Sequence, residues 1–424
     1  MLDINYVEKH QEEVIRLLAN KGWEVDLTEL VNNVATKRAL QFKIEQVKAE
    51  VNRLSASVPA LKKQGQNVTP IFAQVKQLNA SNVEAEQALK AIELKINETL
   101  FALPNLPDPD LKPGGKENNE VIEVFGTKPV FDFPIKDHVE LATSLKLVDY
   151  ARAAKMSGAG TWIYTGVGAE LEWALLNFFI QQHLKDGYQF ILPPHLLNED
   201  SGFTAGQFPK FKQDVFWLDG IEPKRFLLPT AETALVNFHR QEILKKDELP
   251  KKYFAYTPCY RSEAGSYRSE ERGMIRGYQF NKVEIVQYTT AEGSDAAFTE
   301  MVDKAANLVK LLGLHFQVSK LAAGDCSHSM ARTDDIEVYI PSMGIYKEVS
   351  SASNAREYQA RRGMMRYRDE DGKIHYCHTL NASGLATSRL IPAILEQYQL
   401  RDGSVKVPDV LVPFIGKTII KKEQ

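Results

Sequence analysis

Between Tyr253 and Tyr288 the chain reads YFAYTPCYRSEAGSYRSEERGMIRGYQFNKVEIVQY. Two strand-like runs flank a polar loop of Gly, Ser, Glu and Arg, which is the pattern of a long β-hairpin. Alternate residues of a strand share a face. Cys259, Arg261 and Glu263 therefore point one way from the first run, and Arg276, Tyr278, Phe280, Lys282 and Glu284 share a face on the second. If the two faces meet over a cleft, they offer cations for phosphate, an aromatic plate for a base and a carboxylate for an ammonium group. That would seat a nucleotide together with an amino acid. A solvated hairpin with ordinary surface charge is the other reading of the same residues.

Three further stretches carry polar groups at turns and strand ends. LLPTAET, residues 227–233, sets Thr230 and Glu232 on a turn before a helix, where Thr also serves simply as an N-cap. Strand-like runs at 336–340 and 346–351 bring up Glu348 and Ser351, whose oxygens suit a hard cation such as Mg²⁺, although one Glu beside serines is equally ordinary surface chemistry. A strand ending at Asn381-Ala-Ser-Gly384 runs straight into a helix. Arg389 falls in its first turns, near the positive helix N-terminus, where it can meet a phosphate.

The elements that must hold these residues begin with VGAELEWALLNFFIQQHLKD, residues 167–186. This helix is apolar on nearly every side in its middle, so it is buried in the core or at a subunit interface. Gly187 stops it, and a strand, YQFILPPHL, follows. Residues 291–313 read as a structural helix.

The first quarter of the chain is different. Residues 1 to about 26 read as one amphipathic helix and a connector. Leu40, Ile44, Val47, Val51, Leu54 and Val58 then recur at alternating spacings of four and three, a heptad seam. Pro59 is expected to disturb that helix near its tip, and 65–70 reads as a turn. The seam resumes at Ile71, Val75, Leu78, Asn82, Ala85, Leu89, Ile92 and Ile96. Two arms of ~35 residues would each be ~50 Å long. Asn82 on the seam can fix its register. Lys37, Arg38, Lys43, Lys48, Arg53, Lys62 and Lys63 give the first arm a basic outer side, either a solvated face or a binding face for nucleic acid or protein. FALPNLPDPDLKPGG, residues 101–115, cannot continue a helix and marks a boundary.

The whole chain, 424 residues with 44% hydrophobic and 25% charged residues, suits two or three soluble domains. A net charge of −3 neither requires nor excludes a nucleic-acid partner. No apolar run approaches a membrane span, the N-terminus lacks a signal-peptide core, and three cysteines suit a reducing compartment. Those cysteines lack zinc-site spacing. There is neither GxGxxG nor GxxxxGK[ST], so no dinucleotide fold or P-loop is expected.

The segment 259–284 resembles motif 2 of class II aminoacyl-tRNA synthetases in the form that seryl-tRNA synthetases carry, an FRSEAGS-type entry, a variable loop and RG-x-IR-x-x-QF-x-KVE. The helix 167–186 with its strand to Pro194 resembles motif 1, and HTLNASGLATSRLI, 378–391, resembles motif 3. VSSASNAREYQARR, 349–362, is similar to the family's SS-x-SN-x-x-x-FQARR. The resemblance spans nearly the whole chain. It implies an α+β protein: an N-terminal antiparallel coiled-coil hairpin, then a class II catalytic domain whose mixed, mainly antiparallel sheet is flanked by helices. The implied divisions are a tRNA-binding arm at 1–103 (coiled coil about 27–100), a linker at 104–119 and the catalytic domain at 120–424.

The implied activity is ATP-dependent activation of L-serine to seryl-adenylate, then transfer to the 3′ end of tRNA(Ser), with tRNA(Sec) open as a second partner. The implied protein is a cytoplasmic homodimer joined through motif 1. By resemblance, the catalytic residues are Arg261, which would hold the serine carboxylate and the α-phosphate, and Arg389, which would take the γ-phosphate. Thr230, Ala231 and Glu232 would face the serine amino group, while Glu284, aided by Ser383, would receive its side chain. ATP would also be bound by Ser262, Glu263, Phe280, Glu348, Val349, Ser350 and Ser351, with Phe280 stacked on adenine and Glu348 and Ser351 holding Mg²⁺. Two departures stand out. Ser388 replaces a glycine common before the motif 3 arginine. DCSHSMAR, 325–332, replaces a GD-M-G-x-S-A-x-K pattern, which weakens its case as site lining.

Three rivals remain. A carrier-protein ligase would lack the long arm. A threonine or proline enzyme would need more chain after Arg389. A non-catalytic coiled-coil protein would not need Arg261, Glu284, Glu348 and Arg389 together.

Overall fold

The computed structural model describes residues 1–263 and 273–422. The polar loop of the central hairpin, including the AGS of the motif 2 entry, therefore lies outside the described residues. The chain divides into two compact units, one of residues 2–16 and 24–103, the other of Met1, 17–23 and 104–424.

The first unit is dominated by two long helices, α1 (Thr28–Lys63) and α2 (Thr69–Ala102), packed along one another. The expected seam positions are the buried and half-buried ones, and the seam begins earlier, at Leu30 and Val34. Pro59 does not break α1. It sits within four residues of the end, where the helix has little left to lose, and α1 runs through it to Lys63 before Gly65 turns the chain at φ +68°. Asn82 is half-buried, and its amide donates to Glu86 at 3.0 Å. Glu86 in turn meets Lys48 of the other helix at 3.1 Å, so the polar seam position is tied across the pair. The basic side is less bare than the sequence suggests. Lys37 holds Glu93, Arg38 holds Glu8, Lys48 holds Glu86 and Arg53 holds Glu50. Such exposed pairs are worth at most about 1 kcal/mol each and exchange readily for other anions. The expected single helix at the N-terminus is two, Ile4–Lys9 and Gln11–Asn20, because His10 leaves helical geometry at φ −126°.

The second unit is built on an eight-stranded sheet. In chain order its strands are β1 (Glu120–Phe125), β2 (Gln189–Phe190), β3 (Lys251–Tyr260), β4 (Gln279–Thr289), β5 (Phe316–Lys320), β6 (Arg332–Ile340), β7 (Ile345–Asn354) and β8 (His378–Ala386). In space they run β1-β5-β6-β7-β8-β4-β3-β2. Every neighbouring pair is antiparallel except β2 with β3. The strand expected at 188–196 is therefore short. Pro193 and Pro194 have no N–H for a ladder, and pairing stops before them.

Helices α3 (Val167–Lys185), α4 (Ser294–Leu311) and α5 (Thr387–Gln397) cover the sheet. Leu171, Leu175 and Phe179 of α3, Met301 and Val309 of α4 and Ile391 and Ile394 of α5 join Ile285, Ile336, Val338 and Leu380 in one core. Each such side chain contributes about 1.5–3 kcal/mol on burial. Trp173 departs from this pattern. It is 52% exposed and tilts against Tyr256 at 5.7 Å, so α3 keeps one apolar face outward. Cys259, Cys326 and Cys377 are all buried free thiols. Among the described residues no helix is long and apolar enough to cross a membrane.

Candidate active site

The face of β4 predicted by alternation is the floor of a cavity of about 530 Å³, and a smaller space of about 110 Å³ shares Arg261, Lys282, Glu348 and Ser383 as walls with it. Cross-strand register fixes the floor. Cys259 lies opposite Phe280, Thr257 opposite Lys282, and Ser383 of β8 opposite Glu284. The hairpin ladder continues past the end of β3, where Arg261 N–H donates to the Tyr278 carbonyl at 2.9 Å. Arg261 is thereby held beside Phe280, its guanidinium carbon 5.1 Å from the ring centre and its Nε donating to the Pro229 carbonyl at 3.3 Å. Glu263, with φ +51°, pairs with Arg276 at 2.5 Å.

The deep end is small and charged. Lys282 Nζ lies 2.6 Å from a Glu284 oxygen and donates to Thr230 Oγ1 at 2.7 Å. Asn381 donates to the other Glu284 oxygen at 3.1 Å. Thr230 caps the short helix Ala231–Leu235, its hydroxyl accepting from Glu232 N–H at 3.2 Å. Glu232 accepts from Gln359 at 2.8 Å. Burial, reinforced by the nearby Glu284, pushes its carboxyl up to about 7. Two carboxylates thus converge with Lys282 and Arg261 on a space that suits a small zwitterion: the carboxylates for its ammonium and hydroxyl, the arginine for its acid group.

At the other end Arg389, the third residue of α5, donates from Nη1 to the Glu348 carbonyl at 2.7 Å and lies 3.4 Å from its carboxylate. Glu348 and Ser351 are three residues apart, a spacing that puts side chains on opposite faces of a regular strand. A β-bulge reconciles them. Ser351 pairs with Asp335, Ser350 with Ile336, and Glu348 with Glu337, so Val349 is the extra residue and both oxygens line one cavity. Ser351 Oγ donates to Asp335. That commits its proton and leaves its lone pairs free, as a metal ligand requires. Burial first, and the negative Glu348 second, hold the Asp335 carboxyl well above its usual range. A cation would relieve that negative field, so the donor set fits Mg²⁺.

The structure brings Thr230, Glu232, Arg261, Glu263, Glu284, Glu348, Ser351 and Ser383 to one cavity, and Phe280, Val349 and Arg389 to the adjoining one. It does not bring every named side chain there. Ala231 is fully buried in a separate apolar cluster with Leu235 and Tyr288. Ser350 is fully buried, and its hydroxyl donates to the Ser383 carbonyl at 2.6 Å. The Ser262 hydroxyl donates to the Gln213 carbonyl at 3.2 Å. Ser388 is accommodated in an unbroken helix and lines the smaller space.

The segment 325–332, set aside for its departure from the family pattern, supplies Ser327, Ser329 and Met330 to the cavity wall. Lys21, 6% exposed, donates to the Ser327 and Met330 carbonyls at 2.9 and 2.7 Å, and Asn105 donates to the Ser329 carbonyl at 3.0 Å. Backbone acceptors do this work, so the side-chain pattern could not disclose it. Sequence reasoning gives Arg276 and Lys282 a face but no role, and misses Asn381. Its signal was the alternation with Ser383 on β8.

These features define a class II aminoacyl-tRNA synthetase core, and the description "tRNA synthetase class II core domain (G, H, P, S and T)" matches residues 216–398. "Seryl-tRNA synthetase N-terminal domain" matches residues 1–107. The chain is 58% identical over 422 residues to "Serine--tRNA ligase 2" of Clostridium acetobutylicum, covering 98% of this chain and 99% of that one. It is 40% identical over 427 residues to "Serine--tRNA ligase" of Thermodesulfovibrio yellowstonii, covering 99% and 100%. The crystal structure of seryl-tRNA synthetase from Pyrococcus horikoshii complexed with ATP superposes with a TM-score of 0.94 at 30% identity, over 100% of both chains. The chain belongs to the seryl-tRNA synthetase family.

Proposed function

We propose that this chain activates L-serine with ATP and transfers it to tRNA(Ser). The observation that carries the reading is the buried Thr230–Lys282–Glu284 cluster. It closes the end of a cavity whose mouth holds Arg261, and Phe280 and Arg389 line the space adjoining it. The serine carboxylate is ionised at neutral pH and needs no general base. It attacks the α-phosphorus, the bond to the β-phosphate oxygen breaks, and pyrophosphate leaves. The 2′- or 3′-hydroxyl of the terminal adenosine then attacks the seryl carbonyl, and AMP leaves.

Arg261 would bridge the serine carboxylate and the α-phosphate, and Arg389 would exchange its Glu348 contact for the γ-phosphate. Phosphoryl transfer is helped most by such positioning and charge neutralisation. Glu263 and Phe280 would take adenine. Mg²⁺ held by Glu348 and Ser351 would supply further neutralisation of the triphosphate. Glu284 with Ser383 would accept the serine hydroxyl, while Glu232 and Thr230 face its ammonium. A site built around a hydroxyl rejects alanine, because its buried polar groups would be left unpaired.

We also propose that the helical arm, residues 1–103, binds the body of tRNA(Ser), and that α3 joins two copies of the chain. The exposed Trp173 and Leu184 support the second assignment. The test of activity is amino-acid-dependent ATP–pyrophosphate exchange. Exchange with serine, and not with alanine, glycine, threonine or proline, is expected. Exchange with alanine or glycine would move the assignment to a carrier ligase, and none at all would overturn the enzyme reading.

A further inference from the structure

Helix α3 carries one carboxylate that an apolar helix does not need. Glu172 is 3% exposed, on a helix whose Leu171, Leu175 and Phe179 pack into the core. An acid so placed costs free energy unless its oxygens are hydrogen-bonded. Its Oε1 is bonded from two directions. Asn281 of β4 donates to it from Nδ2 at 2.7 Å, and Thr387 at the start of α5 donates from Oγ1 at 2.6 Å. Thr387 also reaches the Asn281 carbonyl at 3.3 Å, so the three residues close on one another. Asn281 is completed on its far side by the Tyr256 hydroxyl at 3.2 Å. Burial pushes the Glu172 carboxyl up to about 7, against the hydrogen bonds from Thr387, Asn281 and the nearby Tyr164 hydroxyl, which lower it. In either protonation state Oε1 remains an acceptor.

The residues it holds are the neighbours of the proposed nucleotide contacts. Asn281 lies between Phe280 and Lys282, and Thr387 lies two residues before Arg389. One carboxylate therefore sets the base-stacking ring on β4 and the phosphate-binding arginine on α5 relative to each other, from an element that touches neither ligand. We infer that Glu172 is the positioning residue for the ATP end of the site, joining α3 to β4 and α5. The inference rests on the reading of that end as the ATP seat.

The test measures serine-dependent pyrophosphate exchange, with ATP and serine varied separately, and the Kd of a non-hydrolysable ATP analogue by calorimetry. The proteins are the unsubstituted chain, Glu172→Ala, Glu172→Gln, Thr387→Val and the Ala/Val double variant. Removing one buried hydrogen-bond partner predicts a rise of about five- to tenfold in KM for ATP and in analogue Kd for Thr387→Val, and at least tenfold for Glu172→Ala. KM for serine should stay within about twofold of the unsubstituted value, as expected for a loss confined to one end of the site. Glu172→Gln keeps the shared acceptor and should retain most affinity. In the double variant the Thr387→Val effect should largely vanish, because its partner is already gone. Equal rises in both KM values, or additive effects, would overturn the inference. If Glu172→Ala does not fold, Thr387→Val decides alone: an unmoved analogue Kd overturns it. No exchange by the unsubstituted chain would instead refute the parent assignment, and this one with it.

Discussion

The raised carboxyl of Glu232 predicts how serine use depends on pH. Burial and the adjacent Glu284 favour its neutral form, and its pKa lies at about 7. The proposed contact to the serine ammonium needs the anion, so a proton and serine compete for one oxygen pair. The competent fraction of the free site falls by about 11-fold at pH 6 and 2-fold at pH 7, and is nearly complete at pH 8. KM for serine should therefore fall roughly tenfold between pH 6 and pH 8. The assay is pyrophosphate exchange at saturating ATP and fixed ionic strength, with serine varied at each pH. Glu232→Gln supplies the control, because other groups titrate near neutrality, Glu172 among them. Its KM should be about 10- to 100-fold higher, from loss of a charge-assisted bond, and nearly flat with pH. A flat profile for the unsubstituted chain, or the same slope in Glu232→Gln, would refute the assignment.

The stability sign follows from the same shift. The folded pKa is raised above the unfolded value, so the advantage of the neutral form is complete below about pH 4 and lost as pH rises through 7. The full span is worth about 3 kcal/mol. Glu232→Gln should be the more stable protein at pH 8 in denaturant titrations.

Other substitutions test the remaining parts. Lys282→Met leaves Glu284 buried without its cation and should cost about 3–5 kcal/mol in urea unfolding, together with serine-dependent exchange. Wild-type stability would show that the pair is not what holds the pocket. Glu348→Gln should shift the Mg²⁺ concentration for half-maximal exchange upward by about tenfold or more, while leaving KM for serine nearly unchanged. An unmoved Mg²⁺ curve would remove Glu348 from the metal assignment. Deleting residues 30–98 should preserve exchange and abolish tRNA charging, and efficient charging by the shortened chain would disprove the arm's role.

Where the sequence was legible, short-range geometry was the reason. The period-two pattern from Phe280 to Glu284 and the heptad spacing from Leu40 to Ile96 set which side chains face together before any partner is known. What it hid was set by partners distant in the chain. Lys21 and Asn105 grip backbone carbonyls of 327–330, and no residue type advertises an acceptor that every residue carries. Nothing near Glu172 in the sequence marks it out, because Asn281 and Thr387, which meet its oxygen from either side, lie more than 100 residues away. Ala231 and Ser350 are the opposite case. Motif membership names them, and their side chains turn into the interior, so any contact they make with a ligand falls to their backbone. Gly384 is explained only by the fold: a Cβ there would lie 2.3 Å from His183 Nε2.

The bulge at Val349 means that the candidate metal pair is encoded by phase as much as by identity. A regular ladder that kept Val349 would leave every proposed ligand in the chain yet put Glu348 and Ser351 on opposite faces, whereas deleting Val349 would set them two apart and on one face without any bulge. Whether the two oxygens share a cavity therefore depends on how β7 pairs with β6 as much as on the two residues themselves.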